Sequence, residues 1–383
     1  MRIVHVCPFF EPHVGGVESH VAMVATELAR RGHDVTVLTS RHDRHLPLRE
    51  RHPAGFEIVR TPTLATLFAT PLTLRVGRSL ERLPADIVHM HYPPPVTSYF
   101  AARVLRRGKT PVCLTYHCDL DLEGPVGALL TGLYQRLFLP PTLEVADRIV
   151  VHTEGYAKTS RYLRNVPLAV IPSLVDTSRF QVAPDDPALR RQVGAEGRRV
   201  VLFVGRLVPH KGVDDLIRAV GQLPPDVLLV IVGRGPERRN LSRLVEEEGL
   251  RDRVRFVGGV SMEDLPRYYH LATLVASPSQ NRLEGFGLTP VEAMASGRPV
   301  IVADMPGMRE VVEDGKDGLL AQPLLAEDLA AKCRSLLDDP ARMAAMGREA
   351  RTSAERKYSI PVVVERLEEL YRTLIDGARA SPA

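Results

Sequence analysis

The stretch Asn281-Arg282-Leu283-Glu284-Gly285-Phe286-Gly287-Leu288-Thr289-Pro290-Val291-Glu292-Ala293-Met294-Ala295-Ser296-Gly297-Arg298-Pro299 decides how this 383-residue chain is read. It begins as a loop, with Gly285 and Gly287 two positions apart, and becomes a helix. Pro290 suits a first helical position, where a missing N–H is no loss. Glu292 to Ala295 are good helix formers, and Gly297 followed by Pro299 ends the run. A glycine-bearing loop that feeds a helix start offers unpaired amides and the positive end of the helix dipole, a seat for phosphate. Glu284 and Glu292 bracket that seat with seven residues between them. A carboxylate repels a bound anion, so the pair is better explained as acceptors for neutral hydroxyls. Phosphate at a helix start with hydroxyls on either side describes a nucleotide sugar. Glycine turns of this kind occur in any α/β protein, so the rest of the chain has to carry the reading.

Working outward, residues 200–204, 227–232, 254–257, 274–276, 300–303 and 319–321 read as strands. Helical spacing fills 212–223, 236–248, 262–270, 326–337, 340–357 and 361–376. The first half shows the same alternation. Strands are expected at 3–7, 34–39, 56–60, 87–91, 112–116, 148–152 and 168–171, and helices at 17–31, 72–82, 96–107 and 127–139. Strands alternating with helices predict an α/β chain of two Rossmann-like domains facing across a cleft, residues 1–180 and 181–360. The dinucleotide fingerprint and the Walker-type Gly-Lys-Ser/Thr sequence are both absent.

The formal charge of +4 argues for no nucleic-acid partner. Residues 1–182 carry 21 Lys/Arg against 16 Asp/Glu and 11 of the 13 histidines. That mildly basic half suits an anionic membrane or acceptor, or simply a solvated surface. Cys7, Cys113, Cys118 and Cys333 show no metal-type pairing and are expected to be reduced, as in a cytosolic protein. No signal peptide is read at the start, and the longest apolar run, 227–232, is far too short to span a membrane.

The chemistry gathers after strand ends. The strand 200–204 is followed by Gly205-Arg206-Leu207-Val208-Pro209-His210-Lys211-Gly212, and the next by Gly233-Arg234-Gly235-Pro236. An arginine fork and a lysine point charge can meet the charge of a departing diphosphate without a metal. Ordinary surface charge is the alternative. In the first half, Gly15-Gly16 opens a helix at the matching sheet edge, and His117 follows the strand 112–116 in either a structural or a catalytic role. Asp119-Leu120-Asp121 matches a tripeptide used for divalent metals, but Arg206 and Lys211 already supply positive charge, so no metal is expected. His89 and His91 share a strand face and look like a cleft wall rather than a zinc site, for want of a third ligand. Residues 126–139 are apolar around most of the helix. They are read as core, with a membrane interface as the alternative.

With these pieces assembled, the chain resembles glycosyltransferase family 4, retaining enzymes of the GT-B fold. The resemblance rests on Gly15-Gly16-Val17-Glu18, on residues 203–212, on Val232-Gly233-Arg234-Gly235-Pro236, on residues 284–288 and on residues 292–300, in the family's order. It implies that Arg206 and Lys211 hold the donor diphosphate, with backbone amides of Gly16, Gly287 and Leu288. Gly15, Gly205, Gly233 and Phe286 would complete the donor site. Glu292 would bind the ribose, Glu284 the transferred sugar, and His117 would line the sugar site. It further implies a C-terminal helix, 361–383, that returns to the first domain, and front-face attack in which the leaving phosphate takes the acceptor proton. The donor would be GDP-mannose or a UDP- or ADP-sugar, with no cofactor and no metal. The acceptor would be a sugar, glycan or lipid, met at the cytoplasmic side of a membrane. The wording around Glu284 resembles lipopolysaccharide-core mannosyl- and glucosyltransferases. A nucleotide-sugar 2-epimerase of the same fold and a silent nucleotide-sugar binding protein are the competing readings. His210 departs from the family, which often has an acid there.

Overall fold

Leu228, Val230 and Val232 of one strand pack into one apolar core, while Val227, Leu229 and Ile231 pack into another on the opposite sheet face. That division is what period-two alternation demands when a sheet is covered by helices on both sides. The computed structural model describes residues 1–13, 15–67, 70–120, 124–281 and 284–380. It divides into two units, Met1–Ser173 with Ile360–Ala383, and Leu174–Ser359.

The second unit holds a six-stranded parallel sheet. Its order is Val254–Gly258, Val227–Val232, Arg199–Val204, Leu274–Ser277, Val300–Ala303, Gly318–Ala321. Numbered along the chain this is 3-2-1-4-5-6, the doubly wound order. Its switch point lies between Arg199–Val204 and Leu274–Ser277, where consecutive connections leave toward opposite faces. The segments leaving those two strands are 205–212 and 278–287, so topology alone brings the two sequence motifs to one place.

The first unit is built the same way. Arg2–Val6 sits between Asp34–Arg41 and Ile87–Tyr92, and the parallel order continues through Val112–Tyr116, Arg148–Val151 and Leu168–Val170. Arg49–Arg51 adds an antiparallel edge that the sequence reading missed. The expected helix at 72–82 shrinks to Val76–Leu80. Thr70–Pro71 is drawn into a small hairpin with Thr66–Leu67, and Leu72 donates its N–H to Ala65 O at 2.9 Å. The long helix Ile360–Ala380 belongs to this unit. Its Glu368 accepts from Arg31 at 3.1 Å, and Tyr371 Oη pairs with His89 Nδ1 at 2.5 Å.

One expectation is reversed. Residues 126–139 read as core, yet the helix that holds most of them, Gly124–Leu137, buries Gly127, Thr131 and Gln135 and exposes Val126, Leu129, Leu133 and Leu137. Gln135 is held inward by donating to Leu120 O at 2.9 Å, so the helix turns its leucines to solvent. No described helix is long and apolar enough to cross a membrane.

Candidate active site

Two turns leave the second sheet in backbone contact. Gly205 N–H donates to Val232 O at 3.0 Å, and Leu207 N–H to Arg234 O at 2.9 Å. A Cβ on Gly233, where φ is +147°, would stand 1.8 Å from Gly205 O. Only glycine lets the Gly-Arg turns lie this close, and Arg206 is exposed beside them. Among the described residues, its guanidinium has no ion-pair or hydrogen-bond partner.

The lysine loop is fixed from below. A 3₁₀ turn, Pro209–Lys211, ends at Gly212 in the left-handed conformation, φ +65°. A Cβ there would meet Pro278 O at 2.1 Å, and Gln280 N–H donates to His210 O at 2.7 Å. The loop after one central strand is thus stitched to the loop after its neighbour. Lys211 Nζ in consequence forms an ion pair with Glu284 Oε2, the two side chains 16% and 15% exposed. We expect Gly212→Ala to cost about 1 kcal/mol in backbone conformation before any clash is relieved. Relieving it must pull Lys211 away from Glu284, so turnover should fall at least tenfold while Tm drops only a few degrees. A Gly212→Ala protein with wild-type kcat would show that this stitch is dispensable.

The quoted helix runs Leu288–Ala295 and is capped by Gly287 at φ +80°. Pro290 is therefore the third helical residue rather than the first, and its missing N–H still falls among the amides a first turn leaves unpaired. Thr289 Oγ1 donates to Val204 O at 3.2 Å, which ties the helix start to the end of the central strand. Glu292 accepts from the buried Tyr269 hydroxyl at 2.6 Å. Burial pushes its carboxyl above the ordinary value, while the Tyr269 bond and Arg179 pull it back. Sequence reasoning missed Tyr269, because nothing in the spacing of 269 and 292 signals the contact. The Phe286 side chain lies in the core, edge-on to Tyr358 at 5.6 Å, and a donor contact from this residue would come from its backbone. Leu288 likewise packs against that core.

Gly15, Gly16 and His117 belong to the first unit. Gly15 precedes the fifteen-residue helix Gly16–Arg30 in an ordinary extended conformation. It is glycine for space, since a Cβ would lie 2.2 Å from the Glu18 carboxylate. Burial raises the Glu18 carboxyl, and His13 sits 3.0 Å from it. Both ring nitrogens of His117 face other histidines. Nε2 pairs with His91 Nδ1 at 3.3 Å and Nδ1 with His152 Nε2 at 3.1 Å. Burial, then His20 and His152, hold it neutral, well below the ordinary histidine value. The missing third histidine beside His89 and His91 is His5, brought into register by the parallel pairing of Arg2–Val6 with Ile87–Tyr92. Asp119 is buried and accepts from Tyr116 at 2.8 Å and Ser160 at 2.9 Å. Asp121 lies outside the described residues, as do Arg282 and Leu283 of the central stretch and the C-terminal 381–383. All four cysteines are free thiols.

Residues 14–179 match the family described as Glycosyltransferase Family 4, and residues 185–353 match Glycosyl transferases group 1. A D-inositol 3-phosphate glycosyltransferase from Nocardia farcinica is 32% identical over 98% of this chain and 90% of its own. A GDP-mannose-dependent α-(1-6)-phosphatidylinositol monomannoside mannosyltransferase from Mycolicibacterium smegmatis is 30% identical over 88% of this chain and 90% of its own. Among solved structures, sucrose-phosphate synthase from Thermosynechococcus elongatus superposes with a TM-score of 0.82 at 24% identity, covering 98% of this chain and 99% of the other. The Anabaena HepE protein in complex with UDP gives 0.79 at 23%, covering 98% and 100%. The fold is that of the GT-B enzymes, and the chain belongs to glycosyltransferase family 4, a glycosyltransferase that uses a nucleotide sugar.

Proposed function

We propose that the chain is a retaining hexosyltransferase that moves a mannose- or glucose-type sugar from a nucleoside diphosphate sugar to an acceptor hydroxyl. The observation that carries this reading is the meeting of Lys211 and Glu284 from adjacent strand ends, with Arg206 unpaired among the described residues nearby in sequence. A diphosphate can replace Glu284 as the lysine's partner and take the arginine fork as well, which frees Glu284 to accept from sugar hydroxyls. Glu292, held by Tyr269, serves the ribose. The bond from sugar C1 to the β-phosphate oxygen breaks, the acceptor oxygen bonds to C1 on the same face, and the acceptor proton passes to the leaving phosphate. The charge developing on that phosphate is what Arg206 and Lys211 stabilise, and no metal is required there.

The relatives whose names include inositol phosphate or phosphatidylinositol mannoside favour an acceptor bearing an inositol. The exposed Val126, Leu129, Leu133 and Leu137 favour one carried in a lipid surface, met from the cytoplasmic side. The deciding experiment offers GDP-mannose, UDP-glucose and ADP-glucose with inositol phosphate, with phosphatidylinositol vesicles, and with water alone. Nuclear magnetic resonance then reads the new linkage. We expect nucleoside diphosphate release that requires an acceptor, faster with vesicles, and an anomeric centre of unchanged configuration. An inverted linkage would refute retention, and release of a free 2-epimer without acceptor would establish the epimerase instead.

A further inference from the structure

We propose that His20, His117 and His152 form a three-histidine seat for a borderline divalent cation, zinc in the first instance, in the first unit. One nitrogen from each lies within 4.8 Å of the other two. The ring centroids are 5.0 Å apart for His20 and His117, 5.5 Å for His20 and His152, and 5.1 Å for His117 and His152. The rings meet at 84°, 53° and 52°, so none stacks on another. An ion bound at 2.0–2.1 Å by three imidazoles in tetrahedral array sets ring centroids about 5.2 Å apart and ligand nitrogens about 3.3 Å apart. The observed triangle has that size, and the 3.1 Å contact between His117 Nδ1 and His152 Nε2 is already near the second figure.

The outward nitrogens strengthen the assignment. A metal-bound histidine donates its other ring N–H to a fixed acceptor, which sets the tautomer and aims the ligand. His152 Nδ1 lies 3.1 Å from Ile171 O, His20 Nδ1 3.4 Å from Ser173 Oγ, and His117 Nε2 3.3 Å from His91 Nδ1. Each ring therefore has an acceptor behind it and a nitrogen in front. His20 Nε2 is buried with no hydrogen-bond partner, although the residue is only 3% exposed. A buried lone pair with no donor is costly, and a cation removes the cost. The neighbouring set of His5, His89 and His91 does not qualify. His5 and His91 stack at 23°, and both nitrogens of His89 are taken, by Tyr371 and by Thr115 at 2.7 Å.

Three neutral ligands leave a fourth position for a solvent oxygen. The sequence could not show the seat, because its members come from three different elements: His20 lies in the helix Gly16–Arg30, while His117 and His152 follow the strands Val112–Tyr116 and Arg148–Val151. The ion would fix the His117 ring.

The test uses the full chain, purified without a histidine tag or chelator, dialysed against zinc and then against metal-free buffer, with bound metal counted by mass spectrometry. The expected result is about one zinc per chain, a Tm that falls on chelation and recovers with zinc, and less than about a tenth of an equivalent in His20→Ala or His152→Ala. The surface variant His45→Ala should keep its zinc. Cobalt substitution gives an independent readout that does not require the variants to fold: the intense visible bands of a four-coordinate site. Less than about a tenth of an equivalent in the wild-type chain after zinc dialysis overturns the proposal, as does zinc retained in folded His20→Ala and His152→Ala.

Discussion

Replacing Lys211 with alanine is expected to lower kcat/KM by about a thousandfold while the protein stays folded. Lys211 meets Glu284 where the loops after two adjacent strands are stitched together by Gly212, Pro278 and Gln280. Removing the ammonium does more than delete one phosphate contact. It leaves the Glu284 carboxylate beside the approaching diphosphate with nothing to offset it, so a cation is exchanged for an anion in the donor's path. Glu284→Ala should behave differently. It frees Lys211, so nucleoside diphosphate binding is kept or tightened, while transfer falls by a similar factor because the sugar loses its acceptor. Titration calorimetry beside steady-state rates separates the two effects. Equal binding losses in both variants would mean that the pair acts only as a structural strut.

Acid should unfold the first unit. Burial holds His5 down to about 3. His89 is held well below the ordinary value by burial and then by the nearby His5, His20 and His152. In the unfolded chain both take up a proton near pH 6.5, and in the folded chain they do not. Below pH 6.5 the unfolded state therefore binds more protons, and each group removes about 1.4 kcal/mol of stability per pH unit. By pH 4.5 the two together remove about 5 kcal/mol, comparable to the whole stability of an ordinary domain. The urea midpoint at pH 5.0 should lie well below that at pH 7.5. An unchanged midpoint would show that these rings are solvated or already charged.

Much of this was legible in the sequence because it is local. Period-two apolar runs gave the strands, and the paired Gly-Arg turns after two of them gave the sheet edge where ligands bind. Glu284 and Lys211 each read as chemistry, but their contact depends on Arg199–Val204 lying beside Leu274–Ser277, a pairing set by topology between residues 73 positions apart. The same limit hid Tyr269 from Glu292 and His5 from His89. The helix Gly124–Leu137 misled for another reason. Its composition is apolar enough for a core, and only the inward ties of Gln135 decide which face is buried. His117 reads from the sequence as either structural or catalytic, and its partners His91 and His152 lie 26 and 35 positions away, so their engagement leaves no local trace.

The central claim is that a diphosphate is gripped by the cations after the first strand of the second unit. Calorimetric titration of Arg206→Ala with GDP, UDP and ADP, and with the matching nucleosides, tests it most directly. The account predicts a loss of about a hundredfold in affinity for the preferred diphosphate, with nucleoside binding unchanged, since it assigns the exposed guanidinium to the charged moiety alone. Diphosphate affinity within twofold of wild type would contradict it.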